Sequence, residues 1–240
     1  MIVERPNEAA ASNSFEFDAL REAVRYRTAL VKEFTPFLNG RVIEIGAGIG
    51  QITEHLMQLP AIQTLVSIEP DSAFCQVFRS TYPRQTLFEG TIDRLPSGSD
   101  AQAILSINVL EHIRDDAQEI ISYQKLLRQK HGHLCLFVPA RPEIYAPIDK
   151  DFGHHRRYTL PELSGKLQRA GFEIIRLHYF NCVGYLAWWF NFCILKQRSF
   201  DARSVRLFDR IIFPVVHALE SSICHPPIGQ SLLAVARAKP

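Results

Sequence analysis

The chain has 240 residues, of which 47% are hydrophobic and 22% charged, and its 27 basic and 25 acidic side chains leave a net charge of +2. This balance lacks the basic excess of nucleic-acid-binding proteins, so no nucleic-acid partner is predicted. The five cysteines include no Cys-x-x-Cys pair, which argues against a zinc ribbon, and their odd number argues against a disulfide framework. The composition therefore predicts a globular cytoplasmic protein with reduced thiols.

The first predicted elements are a tail and a helix. Residues 1–14 include acidic side chains and lack the apolar run of a secretory signal, so we expect a disordered tail. Residues 15–38 carry apolar side chains at helical spacing, with Pro36 near the end, which predicts an amphipathic helix. We predict that residues 15–240 form a single domain.

Seven apolar runs of strand length follow, and helical stretches separate most of them. Runs that are apolar on both faces and alternate with helices indicate a mostly parallel sheet between two helical layers, an α/β fold. The predicted strands are RVIEIG (41–46), TLVSIE (64–69), TLFEG (86–90), AILSIN (103–108), HLCLFVP (133–139), FEIIRLHYF (172–180) and SLLAVARA (231–238). The predicted helices cover 51–59, 72–82, 115–130 and 160–170, and residues 181–230 form a helical insertion before the last strand.

A glycine-rich turn, Gly46-Ala-Gly48-Ile-Gly50, follows the first predicted strand. In an open α/β sheet the first strand–turn–helix unit usually holds the ligand, and glycines let that ligand approach the main chain. The dinucleotide fingerprint G-x-G-x-x-G would require glycine where this chain has Gln51. Glu44, two residues before the turn, would repel a pyrophosphate but suits a ligand that carries an ammonium and a sulfonium. The turn therefore favours S-adenosylmethionine (SAM) over NAD.

An acidic residue also ends the second predicted strand. Glu69, in VSIEPD, is placed to accept hydrogen bonds from ribose hydroxyls. Because NAD and SAM both carry these hydroxyls, Glu69 alone does not discriminate between them.

The segments VIEIGAGIGQIT, VSIEPD, GTIDRLP, AILSINVLEHIRDD and GHLCLFVPA, in this order, resemble the successive motifs of class I SAM-dependent methyltransferases. The resemblance covers residues 41–180 and implies a Rossmann-like sheet whose last strand is antiparallel, with S-adenosylhomocysteine as the product of the cofactor. The cofactor contacts that it implies are Glu44, Gly46, Ala47, Gly48 and Gly50 at the methionine end, Glu69 at the ribose, Pro70 and Asp71 at the adenine, and Asn108 and Val109 at the sulfonium and methyl group.

The segment after the third strand departs from the family pattern. Many relatives have Gly-Asp there, whereas this chain has Gly90 and Thr91, followed by Ile92 and Asp93. The resemblance then implies an adenine contact from the Thr91 hydroxyl or the Asp93 carboxylate, with the backbone of Ile92 facing the ring.

The segment DKDFGHHRRYT, residues 149–159, follows the fifth strand and should open over the carboxyl end of the sheet. It resembles the G-H-x-R-R-Y segment of a subset of bacterial class I enzymes of the methyltransferase 11/12 type, often linked with glycan or lipid-linked sugar pathways. The resemblance assigns His154, Arg156, Arg157 and Tyr158 to the catalytic site. His154 could act as the base, and either arginine could hold an anionic acceptor, since a guanidinium suits carboxylate or phosphate.

The same segment has a structural alternative. Asp149, Asp151 and the two arginines could instead form an ion-pair network that orders the loop and caps the following helix. Adjacent histidines rarely point the same way, and no third ligand is obvious for His154 and His155, so no metal site is predicted. His112, in LEHI, is interpreted as a packing or supporting residue rather than a base.

The insertion, residues 181–230, combines the aromatic run VGYLAWWFNFCIL with several basic residues. Residues 177–195 contain no Lys, Arg, Asp or Glu, but their polar members and strand-like start argue against a membrane span. A hydrophobic lid over the acceptor site, a homodimer contact and a membrane-surface element all remain open.

The sequence as a whole predicts transfer of a methyl group from SAM to a small-molecule or lipid-linked, glycan-type acceptor, at oxygen in preference to nitrogen or carbon. Two alternatives are a nicotinamide-dependent oxidoreductase, disfavoured by Glu44 and Gln51, and a non-catalytic cofactor-binding partner subunit. We expect a cytoplasmic location, with peripheral contact to the inner face of the membrane left open. Fold and cofactor do not identify the acceptor.

Overall fold

The computed structural model describes residues 22–96, 98–199, 201–222 and 226–240, so the predicted tail (1–14) and the start of the predicted N-terminal helix lie outside the described residues. Its centre is a seven-stranded sheet in the order β3-β2-β1-β4-β5-β7-β6. Every predicted strand is present, close to its predicted bounds. The strands are β1 (Gly40–Ile45), β2 (Ile62–Glu69), β3 (Thr86–Glu89), β4 (Ala103–Ile107), β5 (His133–Pro139), β6 (Phe172–Phe180) and β7 (Ser231–Ala238).

The topology brings several strand ends together. Strands β1 to β5 pair in parallel, and β7 runs antiparallel between β5 and β6, which confirms the implied antiparallel last strand. Strand β1 lies between β2 and β4, so the strand order reverses there. Ile45 of β1 pairs with Ile68 of β2 and with Ser106 of β4. The loops that follow these strands therefore converge at one edge, where open α/β sheets bind ligands.

Helices cover both faces of the sheet, which confirms the predicted three-layer α/β/α architecture. Before the insertion the described helices are α1 (Val24–Phe34), α2 (Thr53–Leu56), α3 (Ser72–Thr81), α4 (Asp116–Leu127), α5 (Pro147–Asp151) and α6 (Leu160–Arg169). In the insertion, α7 (Cys182–Trp188) continues into a π-helical segment, Trp189–Ile194. Helix α8 (Ala202–Leu207) continues through a second π-helical segment, Phe208–Ile212, into α9 (Phe213–Ser222).

Each face of the sheet buries its own apolar cluster, because successive side chains of a strand point to opposite faces. Ile43 and Ile45 of β1 belong to the cluster that α4 and α6 cover, whereas Val42 belongs to the cluster beneath α1. Phe213 of the insertion joins the second cluster. Fully burying a large apolar side chain contributes about 1.5–3 kcal/mol, so these two clusters dominate the stability of the fold.

Some helices are shorter than the sequence pattern predicts. The N-terminal helix ends at Phe34 and is followed by one 3₁₀ turn, Thr35–Phe37, because Pro36 has no N–H for the helical ladder. The helix after the glycine turn covers Thr53–Leu56 rather than 51–59, since the turn itself uses the preceding residues: the Gly50 N–H donates to the Ala47 carbonyl at 2.9 Å. Periodicity alone does not reveal such turns.

The insertion packs against the rest of the chain. Trp188 and Phe192 are buried with Ile144, Ile148 and Phe152 from the segment after β5. Elsewhere, the Asp209 carboxylate accepts hydrogen bonds from the N–H groups of residues 25 and 26 in α1, at 3.0 and 2.8 Å. Among the described residues, no helix has both the length and the apolar character needed to cross a membrane.

Replacement of Gly50 by alanine tests how tightly the turn is packed. Gly50 has a φ of 91°, and a Cβ atom there would lie 2.3 Å from Cε2 of Tyr82. Gly98 has a φ of 80°, but a Cβ atom there would meet nothing within 4 Å. We expect Gly98→Ala to lower the free energy of unfolding by about 1–2 kcal/mol through backbone strain, and Gly50→Ala by about 1–3 kcal/mol more through overpacking. Urea titrations of both variants measure the difference in the free energy of unfolding. Equal decreases for the two variants would show that the Tyr82 ring moves aside without destabilising the fold.

Candidate active site

Two adjoining cavities open at the carboxyl ends of parallel strands, the first at β1, β2 and β4 and the second at β4 and β5. The first cavity, of about 480 Å³, lies among the glycine turn, the end of β2, the loop after β4 and α1. The second cavity, of about 540 Å³, lies between the segment after β5 and the insertion. Tyr26 and Asn108 line both cavities, so they form the boundary between them. Both volumes are typical of small-molecule sites, which measure roughly 300–1,000 Å³.

The glycine turn presents its main chain to the first cavity. Gly46 and Ala47 line the cavity, and their N–H groups donate to the Ile68 carbonyl at 2.9 and 3.0 Å. Gly46 has a φ of 71°, and a Cβ atom there would lie 2.4 Å from Cγ2 of Val109. Because Val109 lines the same cavity, a larger residue at position 46 would displace the cavity wall.

The two other glycines of the turn are not among the lining residues. The Gly48 N–H donates to the Glu69 carboxylate at 2.8 Å, and Gly50 leaves room for the ring of Tyr82. Both glycines therefore shape the turn, and their direct contact with SAM stays a prediction.

Glu69 lines the first cavity with its carboxylate held by the main chain. Its two oxygens accept hydrogen bonds from the N–H groups of Gly48 and Asp71, both at 2.8 Å. Burial raises the pKa of Glu69, and these two hydrogen bonds oppose that shift. An ionised carboxylate has about four acceptor positions, so two remain for hydroxyl groups of a ligand.

Glu44 does not line either cavity, although the sequence predicts a ligand contact there. Its side chain is buried, and one oxygen accepts hydrogen bonds from the hydroxyls of Thr53 and Ser67 at 2.7 and 2.8 Å. Burial raises the pKa of Glu44 to about 7, although the two hydroxyls lower it. Glu44 therefore joins β1 to α2 and β2 from behind the glycine turn.

At the predicted adenine end, the lining comes from one side only. Pro70, Asp71 and Phe74 line the first cavity, and the Asp71 carboxylate also caps α3 by accepting from the N–H groups of residues 73 and 74. The three residues predicted on the opposite side do not line it: Thr91 and Asp93 are exposed, and Ile92 is buried in the core. Phe74, Gln51, Ile52, Tyr26, Arg27 and Leu30 line the cavity without having been predicted.

Asn108 occupies the boundary between the cavities in a strained backbone conformation. Its φ is 52°, and its N–H donates to the Phe137 carbonyl of β5 at 2.9 Å. Left-handed residues other than glycine cluster at functional sites, where the surrounding structure holds them in place. Asn108 and Val109 therefore lie where the sequence predicts the reacting end of the cofactor.

His154 lines the second cavity and is held by a buried carboxylate. Its Nδ1 atom lies 3.0 Å from Oδ1 of Asp149. The same oxygen accepts from Nε and Nη2 of Arg157 at 2.9 and 2.8 Å, and Oδ2 accepts from the Ala146 N–H at 2.8 Å. Burial by itself raises the pKa of Asp149, but the bonds from His154 and Arg157 lower it below its ordinary value. Asp149 thus stays ionised and fixes the orientation of the His154 ring.

The four predicted catalytic residues separate into two pairs. Arg157 shares the second cavity with His154, and its guanidinium lies 4.3 Å from the ring centroid of Trp188 in the insertion. Arg156 and Tyr158 line neither cavity and instead bind the Asp116 carboxylate, at 2.9 and 2.8 Å. The ion pair of Arg157 with Asp149 matches the structural alternative, whereas Arg156 pairs with Asp116 and not with Asp149 or Asp151.

Two residues from the turn after β4 complete the cluster around His154. Glu111 is fully buried and lines the second cavity, with Oε1 3.9 Å from Nε2 of His154. His112 lines the first cavity, and its ring centroid lies 4.7 Å from that of His154. Burial, together with the neighbouring His154, lowers the pKa of His112 to about 4. The LEHI segment therefore lines both cavities, through Glu111 and His112. The sequence predicted only a packing or supporting role for His112.

Comparison with known proteins relates this geometry to one family. A family model described as a methyltransferase domain matches residues 17–177. The chain is similar to a chain of the complex that contains the Trm112 methyltransferase activator of Haloferax volcanii, with a TM-score of 0.64, 14% identity and coverage of 99% of this chain and 100% of that one. It is also similar to a SAM-dependent methyltransferase from Mesorhizobium loti, with a TM-score of 0.58, 17% identity and coverage of 88% of this chain and 96% of that one. A SAM-dependent methyltransferase from Archaeoglobus fulgidus is similar with a TM-score of 0.56, 15% identity and coverage of 90% of this chain and 94% of that one. At these identities the structures support the fold alone. None of the curated proteins compared with the chain matches it.

The buried carboxyl group of Glu44 predicts a specific pH dependence of stability. The pKa of Glu44 is about 7 in the folded protein, against an ordinary value of 4.5. Between pH 4.5 and about 7, folding is therefore accompanied by uptake of a proton, and the free energy of unfolding falls as the pH rises through this range. Relative to Glu44→Gln, which keeps an acceptor for Thr53 and Ser67, the wild type should lose on the order of 2–3 kcal/mol of unfolding free energy between about pH 5 and 8.

Urea titrations across that pH range measure the effect, with Glu54→Gln on the exposed side of α2 as the matched control. The control variant should follow the wild type at every pH. Parallel pH profiles for wild type and Glu44→Gln would contradict the prediction, because they would mean that Glu44 is ionised in the folded protein throughout.

Proposed function

Because the chain belongs to the methyltransferase-domain family and is a SAM-dependent methyltransferase, we propose that it methylates a hydroxyl oxygen of a lipid-linked acceptor that binds in the second cavity. The observation that carries this proposal is the position of His154. Its ring lines the second cavity, which the boundary residue Asn108 also lines, and is oriented by Asp149.

The first cavity fits the cofactor. Gly46 and Ala47 offer main chain without bulky side chains, Glu69 offers carboxylate acceptors for ribose hydroxyls, and Pro70 and Phe74 offer apolar surface for the adenine. These residues would hold SAM with its reacting end toward Asn108 and Val109. When bound, SAM supplies an electrophilic methyl group that moves to the acceptor oxygen while the carbon–sulfur bonding pair stays on sulfur.

The contribution of the chain to this reaction is to position the acceptor and accept its proton. In-line transfer depends mainly on holding the nucleophile about 3 Å from the methyl carbon in the correct direction. With Nδ1 of His154 held 3.0 Å from Asp149, Nε2 is the ring nitrogen that would take the proton of the acceptor hydroxyl. Asp149 stabilises the imidazolium that forms, because it is an ionised carboxylate on the opposite ring nitrogen.

The walls of the second cavity favour an acceptor with an apolar part. The insertion contributes Trp188, Phe192, Phe208 and Ile212 to the lining, while Arg157, Asn181 and Gln230 contribute polar groups. A mostly apolar cavity with a few polar groups binds a molecule with an apolar body and orients its polar end. A lipid-linked sugar has this composition.

The outer surface of the insertion supports delivery of such an acceptor from a membrane. Phe190, Ile211 and Val215 are 52%, 60% and 61% exposed, and Leu186 and Leu207 are exposed beside them. The insertion also exposes basic side chains: Lys196, Arg198, Arg203, Arg206 and Arg210. Apolar side chains flanked by Lys and Arg are typical of segments that lie on an anionic membrane surface. We therefore propose two roles for the insertion: it covers the second cavity as a lid, and it makes peripheral contact with the inner face of the membrane.

Replacement of His154 tests the assignment of the second cavity. His154→Ala should reduce methyl transfer by about 10²–10⁴-fold, because a positioned proton acceptor contributes that much, while the affinity for S-adenosylhomocysteine stays unchanged. The assay incubates methyl-tritiated SAM with whole-cell extract and counts label in the organic phase after solvent extraction. His155→Ala, which removes an exposed neighbouring ring, is the matched control and should keep full activity. Label that stays in the aqueous phase would overturn the lipid-linked acceptor, and equal rates for both variants would remove His154 from catalysis.

Vesicle binding tests the membrane assignment. The wild type should co-sediment with vesicles that contain phosphatidylglycerol and much less with pure phosphatidylcholine. Val215→Asp should weaken this binding by about tenfold, because it removes apolar burial and adds a repelled charge. Val77→Asp, on the 46% exposed Val77 of α3, is the matched control. If wild type and Val215→Asp sediment equally, or if the Val215→Asp change alters only the oligomeric state, the exposed face is a protein contact instead.

A further inference from the structure

We propose that Glu111, His112 and His154 form a binding site for one divalent first-row transition-metal ion at the boundary between the two cavities. Each side chain offers one ligand atom, and these atoms all lie within 4.8 Å of one another. The ion-binding part of this inference stands on geometry alone, and its catalytic part rests on the proposed function.

The spacing of the ligand atoms suits a single ion. Metal bonds to imidazole nitrogen and carboxylate oxygen measure about 2.0–2.2 Å, so two ligands of one ion lie at most about 4.4 Å apart. The 3.9 Å between Oε1 of Glu111 and Nε2 of His154 falls within this limit. The ligand atoms all lie within 4.8 Å of one another, so the widest pair would need to approach by at most about 0.4 Å when the ion binds. The ring planes of His112 and His154 make an angle of 83°, so their edges can converge on one point.

The backbone fixes the two segments that supply the ligands. Glu111 and His112 belong to the single turn Leu110–His112 after β4, and His154 follows α5. The N–H of His155 donates to the carbonyl of Glu111 at 2.8 Å and joins the two segments directly beside the ligands. Glu111 is fully buried, and buried carboxylates are found paired or as metal ligands.

A second carboxylate supports the histidine ligand. Metal-binding histidines almost always donate their other ring N–H to a carboxylate, carbonyl or water, which fixes the tautomer and increases ligand basicity. Asp149 lies 3.0 Å from Nδ1 of His154 and is itself held by Arg157 and the Ala146 N–H. This arrangement directs the Nε2 lone pair toward Glu111.

The ligand types select the class of ion. Two imidazole nitrogens and one carboxylate oxygen suit Zn²⁺, Mn²⁺, Co²⁺ or Fe²⁺, whereas Mg²⁺ and Ca²⁺ prefer oxygen ligands. Three protein ligands leave coordination positions open, as in catalytic metal sites. Glu111 and His154 line the second cavity, so an open position there would take the acceptor oxygen. With the ion bound, Nε2 of His154 is a ligand, so it accepts the acceptor proton only in the metal-free protein. The ion would instead make the acceptor hydroxyl more acidic, and its proton would pass to water.

Cobalt titration tests the site directly. Chelator-treated full-length protein should bind one equivalent of Co²⁺ with a visible absorption band typical of nitrogen and oxygen ligands, and Zn²⁺ should compete for it. His112→Gln and Glu111→Gln should each weaken Co²⁺ binding at least about tenfold, and Asp149→Asn should weaken it by about 10–100-fold through the lost support of His154. His155→Gln, an exposed histidine next to the site, is the matched control and should bind Co²⁺ like the wild type.

The outcomes separate this proposal from the function on which part of it rests. Calorimetric titration with S-adenosylhomocysteine is run on every variant, so that loss of Co²⁺ with cofactor binding intact identifies a local effect and not misfolding. Absence of stoichiometric Co²⁺ binding in a wild type that binds S-adenosylhomocysteine would overturn the metal site and leave the methyltransferase assignment standing. Equal Co²⁺ binding by wild type and His112→Gln, or binding of Mg²⁺ in preference to Co²⁺, would also overturn it.

Discussion

The second cavity depends on one buried ion pair, Asp149 with Arg157. The Asp149 carboxylate is fully buried and accepts hydrogen bonds from Arg157, His154 and the Ala146 N–H, so its charge is compensated on every side. Removing one partner of such a pair typically costs about 3–5 kcal/mol, because the other charge stays buried. Arg157 extends the pair to the insertion through the ring of Trp188. Asp149 therefore holds both His154 and Arg157, and Arg157 contacts the insertion.

The first cavity is organised by the main chain rather than by ion pairs. Strands β1, β2 and β4 end side by side, and the loops that follow them are fixed by backbone hydrogen bonds. The side chain of Glu69 is fixed by these loops, because the N–H groups of Gly48 and Asp71 donate hydrogen bonds to its two carboxylate oxygens. Asn108 links the two cavities, because its strained backbone brings the end of β4 to both of them. The two cavities thus meet at this strand end.

Sequence motifs predicted the lining of the first cavity better than that of the second cavity. Gly46 and Asn108 follow strands and Glu69 ends one, and at such positions a local pattern also fixes the place in the fold. Arg156 and Tyr158 belong to the same short motif as His154, but the Asp116 carboxylate binds both of them away from the cavity. The third member of the cluster around His154, Glu111, lies 43 positions earlier in the chain. No spacing rule could connect it with His154.

The sequence by itself determined the mostly parallel sheet and the position of the glycine turn, because alternating apolar runs and glycines act on local backbone and burial, whereas the strand order came from the structure. It also determined the antiparallel last strand through its resemblance to a family. Only the tertiary structure decided which polar side chains face a cavity. Glu44 is an example. Its position matches the methyltransferase motif, but its carboxylate accepts hydrogen bonds from Thr53 and Ser67 and does not line the first cavity. Side-chain direction depends on partners that are distant in the chain, and these become neighbours only when the layers pack.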